Sequence, residues 1–108
     1  MSLERYYSGY DVWDNFAEIA KKEVGSAGFN TDKSILDELK RKLKDNNDIA
    51  YVAYYLFYND SLNWIERRVS GLDNLMSIEC LASEELTNRL REVLLRTPLW
   101  LMGKIIFG

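Results

Sequence analysis

Histidine is absent from this chain of 108 residues, cysteine and proline occur once each, and glycine only six times. Without histidine, the commonest general base near neutral pH and the commonest nitrogen ligand for metals are both missing. The lone thiol, Cys80, can neither close an internal disulfide nor complete a closed zinc site, and beside Ile78 and Leu81 it reads as a buried structural residue. No glycine-rich phosphate loop, calcium-loop spacing or nucleophile elbow occurs. Acidic pairs such as Asp37 with Glu38 and Glu84 with Glu85 diverge by about 100° on a helix and are flanked by basic residues, so they read as solvated faces. No cofactor, no metal and no enzymatic activity are expected. With so little glycine and proline there are too few tight turns for an all-β sandwich. The expected fold is all-α, a single small domain of five or six short helices in an irregular orthogonal bundle.

Strong charge of either sign is also missing. The net charge is -3, and basic and acidic side chains are interspersed through both halves, so no global field favours a nucleic-acid backbone. No basic-then-apolar leader opens the chain, and the single cysteine suits a reducing compartment; a cytoplasmic protein is expected. The one long apolar run, Leu99 to Phe107, is interrupted by Gly103 and Lys104 and falls far short of the roughly 20 residues a spanning helix needs. No membrane association is expected. The hydrophobic content of 47% is ample for one folded core.

What the chain does contain is helical periodicity. Residues 1–10, with Tyr6, Tyr7, Gly9 and Tyr10, form an irregular arm. Asp11 can then cap a helix whose Val12, Trp13, Phe16, Ile19, Ala20 and Val24 recur every three or four residues, ending before Gly25. Gly25 to Asn30 is the clearest linker. Thr31 or Asp32 can cap a second helix with Ile35, Leu36, Leu39 and Leu43 on its buried stripe and cations at its C-terminal turn, where they favour the helix dipole. Asp45 to Asp48 supply a turn and a cap before a third helix. Asp60 can cap a fourth, carrying Leu62, Trp64, Ile65 and Val69 until Gly71 stops it. Ser77 can open a single turn through Leu81. Ser83 can cap a longer helix with Leu86, Leu90, Val93 and Leu94 on one side, ended by Thr97 and Pro98.

The third helix is the most distinctive. Tyr51, Tyr54, Tyr55 and Tyr58 fall at i, i+3, i+4 and i+7 and share one face, while Ile49, Val52, Ala53 and Leu56 repeat the spacing on the other. A helix with little polar surface is either central to the fold or a contact surface. Tyrosine serves both, having a large apolar ring and one hydroxyl that needs a partner. Together with the hydrophobic tail, 99–108, this face is apolar surface beyond what the core requires. Tyr51, Tyr54, Tyr55 and Tyr58, with Trp100, Met102 and Phe107, are therefore the candidate partner-binding residues, since aromatic residues and methionine are enriched at protein interfaces. The tyrosine face can equally be the inner wall against which the tail packs. Lys40, Arg41, Lys42 and Lys44 are the candidate nucleic-acid contacts of the alternative reading. A recognition helix would carry its polar and basic contacts near its N-terminus, whereas these lie at the C-terminal end.

From Asp48 to Pro98 the chain resembles the toxin-binding domain of Xre/MbcA/ParS-type antitoxins. Phe57, Asp60, Leu62, Trp64 and Ile65 follow the order of that family's first segment, Leu72 to Leu81 its turn and short helix, with Glu79 and Leu81 standing for its glutamate and leucine, and Arg89, Leu90, Val93 and Leu94 its final helix. Ser77 stands where the family has a proline, and no proline follows Trp64. The resemblance implies a non-enzymatic, antitoxin-like protein that binds a toxin or other protein target, with residues 1–45 supplying dimerisation or DNA contact, so a homodimer is among its implied assemblies.

Overall fold

Six α-helices organise residues 10–97, the part of the chain that the computed structural model describes: α1 (Tyr10–Val24), α2 (Lys33–Lys42), α3 (Asn47–Phe57), α4 (Ser61–Ile65), α5 (Ser77–Cys80) and α6 (Glu84–Leu95). The protein is all-α as its periodicities predict; among the described residues the only extended pairing is an isolated antiparallel bridge between Val69 and Leu75. Tyr10, expected in the N-terminal arm, is the first residue of α1, so Asp11 lies inside the helix and does not cap it; residues 1–9 of the expected arm, and 98–108 with the hydrophobic tail, lie outside the described residues.

α3 is the centre. Ile49, Ala50, Val52, Ala53, Tyr54, Leu56 and Phe57 are all buried, leaving Tyr51 and Tyr55 half-buried and no fully wet side, as expected of a helix that is apolar all round. α1, α2, α4 and α6 all pack on it, and α5 joins through α4 and α6. α1 contributes Trp13, Ala20 and Val24 to this core, α2 Leu36 and Leu39 with the following Leu43, and α6 Leu90 and Leu94. The Phe57 and Trp64 rings stack at 4.6 Å and fix the corner between α3 and α4. The broad stripe expected on α1 is narrower: Val12 and Ile19 are exposed, because its buried line runs through Trp13, Ala17, Ala20 and Val24 and leaves those two on its shoulder.

Caps set the helix starts. The Asp32 carboxylate accepts the backbone N–H groups of Ser34 and Ile35 and so opens α2, and the Ser83 hydroxyl accepts from Leu86 N–H and opens α6. Before α5 the Glu79 carboxylate reaches back to Met76 N–H at 2.9 Å. α2 ends in paired return hydrogen bonds, Lys44 N–H to the Arg41 carbonyl and Asp45 N–H to the Lys40 carbonyl, with Lys44 at the left-handed position (φ 55°) that glycine usually fills.

The fourth helix departs from expectation. Asp60 makes no side-chain cap to α4, which ends at Ile65, and Val69 belongs to no helix. The chain instead leaves α4, pairs Val69 with Leu75, and reverses through Asp73 and Asn74, both left-handed with φ 57° and 63°. Short polar side chains tolerate that conformation, so two adjacent residues of this type make the reversal without a glycine at either left-handed position.

Candidate interaction surface

The segment Gly25 to Asn30 is more than a connector. The Ser26 hydroxyl donates to the Glu23 carbonyl at 2.7 Å, Phe29 N–H donates to the Ser26 carbonyl at 3.2 Å, and Asn30 turns the chain at φ 60°. Thr31 pins the far end by donating its hydroxyl to the Val24 carbonyl. Held this way, a one-turn 3-10 segment, Ala27–Phe29, lays the Phe29 ring over the tyrosine face of α3. Its ring centre lies 5.9 Å from Tyr54, 6.1 Å from Tyr55 and 5.2 Å from Tyr58, the last nearly parallel at 18°. Phe16 of α1 meets Tyr55 edge-on at 6.1 Å and touches Trp13 in turn. Each such aromatic pair contributes about 0.5–1.5 kcal/mol beyond its burial.

The four tyrosines therefore have different lives. Tyr54 is buried, and its hydroxyl accepts Asp32 N–H at 2.8 Å, tying α3 to the cap of α2. Tyr51 is half-buried and accepts the Lys40 ammonium at 3.1 Å on its hydroxyl; the same ammonium is 4.7 Å from the ring centre, so the hydrogen bond is the closer contact. Tyr55 is half-buried between Phe16 and Phe29. Tyr58 stands at the rim with 46% of its surface exposed, on a backbone with φ 52° and ψ −128°. An L-residue is strained there, and the Ser61 hydroxyl holds the turn by donating to the Tyr58 carbonyl at 2.7 Å. The result is a terrace of rings, buried at Tyr54 and open at Tyr58. Trp100, Met102 and Phe107 lie outside the described residues.

The basic group is largely occupied by its own fold. Lys40 bonds Tyr51, Arg41 clasps Glu38 with two nitrogens, and Lys42 pairs with Glu66 at 2.6 Å. Arg41 holds the Glu38 carboxyl below its usual pKa, and the Ser34 hydroxyl, with the backbone bonds of the cap, does the same for Asp32. Lys44 is exposed at the end of α2. Cys80 is fully buried, and burial, then the charge of Glu79, pushes its thiol above the ordinary value, so at neutral pH it is a protonated packing group. No group of three or more metal-ligating residues converges among the described residues.

A polar node that periodicity does not reveal joins three helices. Trp13 Nε1 donates to the Asp48 carboxylate at 2.8 Å, Arg91 of α6 approaches the same oxygen at 3.4 Å, and the Arg91 guanidinium sits 5.9 Å from the Trp13 ring centre. Arg91 also donates to Asn88 at 2.8 Å. Phe29 and this node are what sequence reasoning missed; the signal for Phe29 was an aromatic residue standing alone in an otherwise small and polar linker. No family model, curated protein or solved structure matches the chain.

Proposed function

We propose that this is a non-catalytic protein-binding module, an inhibitor-type or antitoxin-like partner of another protein, and that it meets its target at the open end of the aromatic terrace. Tyr58 carries this reading. A large ring is held 46% exposed on a backbone conformation that glycine adopts without cost, so the position sacrifices stability to present an aromatic side chain. Exposed tyrosine backed by rigid rings is the usual material of a binding hot spot. The toxin as target rests on the resemblance of residues 48–98, and the cytoplasmic setting on the single, buried cysteine. No helix among the described residues is long and apolar enough to cross a membrane. The nucleic-acid alternative has less support, because Lys40, Arg41 and Lys42 are all engaged within the fold.

The test is co-purification from the source cells with tagged wild type and tagged Tyr58→Ala. A protein retained in stoichiometric amount by the wild type and lost by the variant, with retention normalised to the folded fraction of each bait, is the expected result. Equal retention by both would remove Tyr58 from the interface. Salt-sensitive binding of a DNA or RNA duplex at low ionic strength, abolished by Lys44→Glu, would favour the alternative instead.

A further inference from the structure

The aromatic terrace leaves one apolar feature unexplained, the outer shoulder of α1. Val12 and Ile19 are 48% and 51% exposed, the two large aliphatic side chains of the described residues that remain so open. One heptad apart, they lie about 20° from each other around the helix and about 10 Å apart along it, which makes a short seam. That seam is turned well away from the buried line of Trp13, Ala20 and Val24, so a second helix can lie beside α1 without displacing α3.

We infer that the occupant of this seam is α1 of a second copy, packed antiparallel about a two-fold axis. Charge complementarity within one helix selects this partner. Asp11 and Lys22, both exposed, sit on the same flank of the seam at its opposite ends. A two-fold axis perpendicular to both helices puts like flanks side by side and reverses their direction, so Asp11 of each copy meets Lys22 of the other. The axis that pairs Val12 with Ile19 passes between residues 15 and 16, and the axis that pairs Asp11 with Lys22 passes between residues 16 and 17. These positions differ by about 1.5 Å along the helix, so a single axis serves both contacts. Exposed Asn15 lies beside that axis, where two amides can each donate to and accept from the other, the device by which a buried asparagine fixes register in paired helices. A parallel pair, related by an axis along the helices, would put this flank of each copy on opposite sides of the seam, so Asp11 and Lys22 would not meet. The antiparallel dimer alone turns this arrangement to advantage.

Sedimentation equilibrium at low salt over a roughly hundredfold concentration range tests it. The wild type should dimerise, Ile19→Asp should be monomeric with an unchanged melting temperature at high dilution, and Asp11→Lys and Lys22→Asp should each weaken association roughly tenfold. The double variant D11K/K22D restores both attractions and should recover wild-type association, as should an equimolar mixture of the two single variants. A wild type that stays monomeric throughout, a dimer indifferent to Ile19→Asp, or a double variant no better than the singles would each overturn the proposal. Tyr58→Ala should leave the association unchanged, which separates this seam from the terrace; loss of the dimer in that variant would also overturn it.

Discussion

Tyr58 is where ring stacking and backbone strain act on the same residue, and the two can be separated by substitution. Tyr58→Ala removes the stack on Phe29 and keeps an L-residue at φ 52°, whereas Tyr58→Gly removes the same ring and relieves the backbone. Equilibrium denaturation should therefore find the glycine variant more stable than the alanine variant by about 1–2 kcal/mol, the usual magnitude of such strain. Equal stabilities would mean that the turn relaxes in the alanine variant and that no strain is held at the rim. Tyr54 differs in kind despite sharing the stripe. Its hydroxyl accepts Asp32 N–H and its ring is buried, so it belongs to the core and to the joint between α2 and α3.

At the scale of elements, the short 3-10 turn covers the tyrosine face of α3 with the Phe29 ring. Phe29→Ala should cost about 2 kcal/mol, less than a fully buried phenylalanine would, and should raise the accessibility of Tyr54 and Tyr55 to solvent, read as a shift in tyrosine absorbance or as faster exchange of nearby amides. A change below about 0.5 kcal/mol would mean that the rings find other cover. This turn also marks the limit of what could be read from sequence. The all-round apolar character of α3, the cap at Ser83, a cap at one of Thr31 and Asp32, the stripe of α2 and the start of α5 were legible, because each follows from local spacing or local hydrogen-bond chemistry; that α3 is central and that Asp32 is the cap were decided only by the packed structure. Three further things were not. Periodicity counts Val12 and Ile19 with the stripe of α1, since spacing marks an apolar arc but not which edge of it a neighbour covers. Val69 fits the spacing of α4, yet the chain leaves the helix at Ile65 to make the Val69–Leu75 pairing, a choice between local and tertiary hydrogen bonds. For the candidate site, the tyrosine stripe was visible but its division into wall and rim was not, because that division depends on Phe29, far away in sequence.

For the whole molecule, the node of Trp13, Asp48 and Arg91 is a polar joint shared by α1, α3 and α6. Asp48→Ala strips the indole N–H of its acceptor and leaves Arg91, whose side chain is only 16% exposed, without its carboxylate. Destabilisation by about 1–3 kcal/mol is expected, and a double-mutant cycle with Arg91→Met should return a coupling of about 1 kcal/mol. Coupling near zero would make the 3.4 Å approach an incidental one. The central position of α3 carries a consequence for synthesis. α1 and α2 are made first, but the helix on which both pack begins only at Asn47. During translation, Trp13, Ala20, Leu36 and Leu39 must wait in the open until residues 47–57 clear the ribosome, and α4 to α6 can then add to a scaffold already begun. The interval is short at ordinary elongation rates, roughly seconds. A pause placed within that stretch of the message would lengthen the one stage at which the nascent chain displays its core to its neighbours.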